Sequence, residues 1–165
     1  MANDSNPIPL PYRLFFLYLE PISALVGAYY AAGKPAEYLA YLSFSSMPTS
    51  ELPPTSTLIS LYQLSNLYLL FALNEHLVLS STNSIRIWQR LLFCLLMADF
   101  GHLATMIPLA LEKGFARVFL EFMQWNAMEA GSVGFVYVGA LMRISFLAGA
   151  GLNQERGKAR TDRAD

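Results

Sequence analysis

Four stretches of the chain stay apolar for the length a bilayer crossing demands: residues 12–32, 58–80, 87–111 and 126–151. Each is close to the roughly 20 residues that span the hydrocarbon layer at 1.5 Å per residue. The pattern predicts an all-α fold, an integral membrane antiparallel four-helix bundle. Between the first two runs lies KPAEYLAYLSFSSMPTSELPPTST, where Pro48, Pro53 and Pro54 forbid one continuous helix. NSIR and EKGFARVFLEFMQ make shorter connections, and NQERGKARTDRAD closes the chain as a charged segment. Residues 1–151 therefore read as one four-span domain and 152–165 as a solvated tail. No internal repeat is visible.

Basic residues are unevenly shared between the two sides that this topology defines. Arg13, Arg86, Arg90, Arg156, Lys158, Arg160 and Arg163 fall on one side, and Lys34, Lys113 and Arg117 on the other. The positive-inside rule then puts both termini in the cytosol, with the endoplasmic reticulum as the expected membrane. Trp88, Trp125, Tyr12 and Tyr62 fall near span ends, where amphipathic rings are best accommodated. Composition agrees: 55% hydrophobic, 14% charged and a mean hydropathy of +0.38 are too apolar for an ordinary soluble domain. The formal charge of −1 carries no basic–aromatic footprint, so no nucleic-acid partner is expected. The N-terminus lacks a basic leader region, and Glu20 and Pro21 interrupt the first apolar run, so no cleaved signal peptide is expected. Cys94 is the single cysteine, which excludes an intrachain disulfide; in its apolar run it reads as a small buried hydrophobe.

The spans also carry groups that lipid does not tolerate. Glu20 lies in the first, Asn66, Asn74, Glu75 and His76 in the second, Asp99 and His102 in the third and Arg143 in the fourth. Such groups must face one another or water. Asp99 and His102 are i,i+3 neighbours; Tyr68, Ala72 and Glu75 share one stripe of the second helix; Ser132, Val136, Gly139 and Arg143 share one of the fourth. Counted from the terminal-bearing side at 1.5 Å per residue, Glu75 lies about 8 Å deep, Arg143 about 10 Å, Glu20 about 12 Å and Asp99 about 16 Å. The spacing predicts one polar cluster in which three carboxyls surround a single arginine.

Three acids around one fixed positive charge cannot all ionise comfortably in low dielectric, so at least one is expected to keep its proton unless a histidine is charged. A protonated carboxyl beside an ionised one is an acid/base pair. Asp99, deepest by residue count, is the expected acid; Glu75 is the base, Arg143 keeps it ionised and Glu20 can exchange with it. Asn74, His76, His102, Asn66 and Tyr68 are candidate substrate-binding residues. A structural reading stands beside this for each group: interhelical pairing for the acids, a backbone-carbonyl bond for His102, packing for Tyr18, Tyr29, Tyr30, Tyr68, Phe71 and Tyr137, and a helix-terminal interfacial charge for Glu129. A metal site from His76, His102, Glu75 and Asp99 is disfavoured: no HExxH or ExxH pair is present, and Arg143 would repel a cation. No metal and no cofactor are expected.

PYRLFFLYLEPISALVGAYYA, NLYLLFALNEHLVL, LLMADFGHL and WNAMEAGSVGFVYVGALMRISFL together resemble an uncharacterised fungal family of small four-span membrane proteins. Members with an assigned role look like the membrane epoxide hydrolases or cyclases of aurovertin- and citreoviridin-type polyene pathways. In helix count and buried acids the chain is also similar to the sterol-isomerase superfamily and the fungal membrane terpene cyclases. The resemblance implies a lipophilic polyene polyketide substrate, opened at its epoxides to diols or cyclic ethers.

That chemistry suits the residues. Epoxide opening needs one group to protonate the departing oxygen and another to deprotonate the attacking water or hydroxyl. Limonene epoxide hydrolase, an unrelated soluble fold, resembles this in using an Asp–Arg–Asp set. Alkene protonation, as in an isomerase or terpene cyclase, is the first alternative, and a non-catalytic lipid-binding membrane protein the second. Gly131, Gly134 and Gly139 leave association into a homodimer open.

Overall fold

A computed structural model describes residues 7–43 and 52–152. Pro48 and the tail beyond Leu152, with its four basic residues, lie outside the described residues. Among the described residues every regular element is helical. Four helices are long and apolar enough to cross a membrane: Leu10–Gly33, Thr55–Val78, Ile85–Lys113 and Ala130–Leu147. They fall within a few residues of the four apolar runs.

The breaks follow from proline and glycine. Pro54 sits just before Thr55, where the second long helix starts. Pro35 opens a short helix, Pro35–Leu42, directly after the first long one. The third long helix is interrupted at Met106, and Pro108 lies in the first turn of its last piece, Ile107–Lys113, where a missing N–H is harmless. Gly114 ends that piece with φ of 100°, a backbone region that L side chains rarely adopt. The connection read as a plain loop from EKGFARVFLEFMQ thus contains helical turns at Phe115–Phe119 and Phe122–Gln124.

Three of the long helices contain a π-helical turn: Phe15–Leu19, Asn74–Val78 and Ala130–Gly134. The first two pack against each other. The first follows from sequence. Pro21 has no N–H to give the carbonyl of Leu17, its i−4 partner, so the α ladder is already broken there.

The first and second long helices pack along their length; the Tyr68 ring lies against Gly27, and Ser65 donates to the Ala28 carbonyl at 2.9 Å. The third packs on the fourth. At the end holding the start of the first helix, all four contribute to one core: Tyr12, Phe15 and Phe16, then Leu79, then Trp88 and Leu92, then Phe146. Tyr12 meets Phe146 edge-on and Phe15 stacks on Phe135, tying the first helix to the fourth. At the other end the core divides. Met106, Ala110, Val118 and Val133 form one cluster and Ala31, Tyr38 and Leu61 another, with Leu42 packed against both.

Two expectations are corrected. Cys94 is exposed rather than buried, because Leu92 and Leu96 take the inward face of its helix. Trp88 is 1% exposed and belongs to the core, its Nε1 donating to the Thr82 carbonyl at 3.0 Å, so it is not an interfacial ring.

Candidate functional site

Arg143 has no exposed surface and meets a carboxyl from each of the other three long helices. Nη1 donates to Asp99 Oδ2 at 2.7 Å, and Nη2 donates to Glu20 Oε1 at 2.5 Å and reaches Glu75 Oε1 at 3.5 Å. One planar fork therefore divides its two ends between three acids, which a lysine ammonium cannot copy. Helical geometry explains the placement. A long side chain leans back over the preceding turn, and Arg143 lies over Gly139, where an added Cβ would come within 2.8 Å of Nη1 and 3.3 Å of Glu20 Oε1. Phe16 and Phe71 flank the guanidinium, with ring centroids 5.6 and 5.9 Å from Cζ. Both ring faces favour a desolvated cation.

Glu20 and Glu75 meet at the same nitrogen, Arg143 Nη2, which brings their carboxyl groups side by side. Among the described residues, neither Glu20 Oε2 nor Glu75 Oε2 accepts from a donor, and Arg143 Nε finds no acceptor. Burial differs from the order that residue counting suggests. Glu75, not Asp99, is most enclosed: it is 0% exposed, against 6% for Glu20 and 7% for Asp99. Counting along one helix measures depth but ignores what neighbouring helices cover.

The remaining candidates lie elsewhere. Asn74 is exposed and turns back to the Leu70 carbonyl of its own helix at 3.0 Å. Asn66 is exposed as well. The Tyr68 hydroxyl pairs with that of Tyr38 at 3.2 Å. Both histidines face backbone carbonyls: His76 Nδ1 meets Leu17 O at 2.7 Å, and His102 Nε2 meets Ser132 O at 3.0 Å. A carbonyl only accepts, so each of these ring nitrogens carries the proton. Leu17 and Ser132 both lie in π turns. The histidines thus satisfy carbonyls in segments where the α ladder is interrupted.

Residue patterns did not expose a second buried ionic group. Glu129 is 2% exposed and holds Arg117 Nη2 at 3.1 and 3.2 Å. It accepts from the Asn126 backbone N–H at 3.0 Å, while Asn126 Oδ1 accepts from the Glu129 N–H at 2.9 Å. That is a reciprocal capping box, and the N-x-x-E spacing of NAME was its signal. It replaces the interfacial charge expected at Glu129. No cluster of His, Cys, Asp and Glu suited to a metal ion occurs among the described residues.

Residues 5–153 match the family described as a domain of unknown function, DUF7704, and the chain belongs to it. No curated protein and no solved structure matches the chain.

Proposed function

We propose that this member of that family is an integral membrane enzyme that opens epoxides of a lipophilic metabolite by acid/base chemistry. The observation that carries the reading is the convergence of Glu20, Glu75 and Asp99 on Arg143. Four helices of membrane-crossing length and the largely apolar exposed surface support insertion. Arg13, Arg86 and Arg90, grouped at one end, support cytosolic termini. The resemblance to fungal polyene-epoxide enzymes supplies the substrate class.

The geometry favours an exchange of the roles expected from depth alone. Asp99 takes one end of the guanidinium to itself at 2.7 Å, a charge-assisted contact that suits it to the role of base. Glu75, fully enclosed and against Glu20, is better suited to hold a proton. A single proton between the two glutamates supplies the donor that their Oε2 atoms lack. In the reaction the Glu20–Glu75 pair gives that proton to the epoxide oxygen as the C–O bond breaks. Asp99 takes a proton from water, or from a substrate hydroxyl, as its oxygen bonds to carbon. The product is a diol or a cyclic ether, and proton return from Asp99 to the glutamate pair restores the site. No electron is transferred. Alkene protonation would use the same glutamate proton.

A structural role is the second reading, favoured by the complete enclosure of Arg143 and Glu75. Full-length protein in nanodiscs, incubated with a polyene epoxide in ¹⁸O-water, separates the two. The enzyme reading expects ¹⁸O-labelled diol or unlabelled cyclic ether, a 10²–10⁴-fold loss of rate in Glu75→Gln, and retained substrate binding. Absence of turnover in the parent protein, or parent-like rates in both Glu75→Gln and Asp99→Asn, would sink it.

A further inference from the structure

Arg86 and Arg90 lie one turn apart near the start of the third long helix, and both are exposed. Neither makes an ion pair or a side-chain hydrogen bond among the described residues. In contrast, Arg117 is paired with Glu129, and Arg143 with three acids. The two arginines share one open face of this helix with Gln89, Phe93 and Cys94. Beyond it the same helical stripe continues as Phe93, Met97 and Phe100, exposed by 55%, 54% and 49%. From Arg90 to Phe100 the stripe descends about 15 Å at 1.5 Å per residue, half the hydrocarbon thickness. The face thus has two guanidinium groups without a partner among the described residues, above an apolar ladder, Phe93 to Phe100, that descends about 10 Å into the leaflet.

We propose that this helix face is a binding site for one anionic phospholipid of the surrounding bilayer, independent of the Arg143 cluster. Its phosphodiester would be held between Arg86 and Arg90, with Gln89 offering an amide donor and an acyl chain lying along Phe93, Met97 and Phe100. Guanidinium forks suit phosphate oxygens, and two of them account for a preference over zwitterionic lipid, whose ammonium offsets the phosphate. The proposal rests on the membrane reading but not on the enzyme reading.

The test is native mass spectrometry of full-length protein released from vesicles of phosphatidylcholine mixed with phosphatidylglycerol. The parent protein is expected to retain one phosphatidylglycerol. Arg86→Gln and Arg90→Gln should each weaken the preference about five-fold, and the double variant more. Phe93→Ser should weaken retention without any change in charge, and Arg86→Lys with Arg90→Lys should retain part of it. Arg13→Gln, at the same end but on a different helix, should leave retention unchanged. The proposal is overturned if Arg13→Gln weakens retention as much as the Arg86 and Arg90 variants, which would mean general surface attraction. It is also overturned if soluble glycerol phosphate displaces the lipid, which would mean a free-anion site, or if the two lipids are retained equally. Failure of the parent protein to enter vesicles at all would reject the membrane reading itself.

Discussion

His76 Nδ1 donates to the carbonyl of Leu17 at 2.7 Å, joining the second long helix to the π turn that immediately precedes Glu20. Pro21 removes the N–H that would ordinarily serve this carbonyl, so the imidazole supplies a donor the backbone cannot. His76→Ala should cost about 1–3 kcal/mol, the usual penalty for orphaning a buried acceptor. His76→Gln, which keeps a donor on a flexible chain, should recover part of it. Unfolding in detergent measures both, and an unchanged midpoint for His76→Ala would show that the Leu17 carbonyl is served otherwise.

Gly139 and Gly101 offer opposite expectations for the same change. An alanine Cβ at 139 meets Arg143 Nη1 at 2.8 Å, and the guanidinium is pinned by its acids, so overpacking should cost about 1–3 kcal/mol. At 101 nothing lies within 4 Å, and the residue is inside a helix. Gly101→Ala should therefore stabilise by about 0.5–1 kcal/mol. Paired thermal melts check the difference in sign.

Arg143→Lys retains the charge and loses the fork. One ammonium cannot stand at both the Nη1 and Nη2 positions, so either Asp99 or the glutamate pair is left without its partner. Stability should fall, by less than the about 3–5 kcal/mol expected when Arg143→Gln removes the charge altogether. Adding Glu20→Gln to Arg143→Gln removes one uncompensated carboxylate and should recover part of the loss. Additivity of the two changes in a double-mutant cycle would argue that the groups are not coupled.

Alkaline behaviour should report on Tyr38, which lies on the short helix outside the long spans. Burial, with a contribution from Tyr68, pushes its phenol well above the usual tyrosine range. Folding then holds a proton that the unfolded chain releases above about pH 10. The stabilisation is fully present below that value and is lost as pH rises further, by at most about 1.4 kcal/mol per pH unit for one group. Tyr38→Phe should flatten this limb; a decline equally steep in the variant would place the sensitive group elsewhere.

Glu129→Ala should lower stability by about 1–3 kcal/mol, because the Asn126 N–H and Arg117 Nη2 both lose the bonds they give to its carboxylate. Glu129→Gln keeps the cap and loses the charge, so its cost should be the smaller. Chemical unfolding of the two variants separates capping from ion pairing.

The four long helices were legible because a membrane span needs length and apolarity alone, and both are local properties. The Arg143 cluster was legible in membership for a related reason: few charges are tolerated in such runs, so those present must meet. Its internal order was not. Which acid is most enclosed depends on what Phe16, Phe71 and Gly139 place around it, and no single helix carries that information. Asn74 was misread because adjacency in sequence is not adjacency on a helix; one residue before Glu75 it points to a different side. The pairing of Leu17 with His76 joins residues 59 apart. Pro21 marked the orphaned carbonyl, but nothing local identified its donor.

A π turn contains one residue more than the α-helical turn it replaces. Each residue advances a helix by about 100° in azimuth, so the turn at Phe15–Leu19 sets the angular offset between Tyr12, facing the aromatic core, and Glu20, facing Arg143. Excising one residue there would leave Tyr12 and Glu20 chemically intact while swinging either the ring or the acid away from the packed interior. Homologues of this chain should accordingly tolerate substitution within that turn far better than a change in its length. A one-residue deletion matched by a compensating insertion before Glu20 should restore what neither change alone permits.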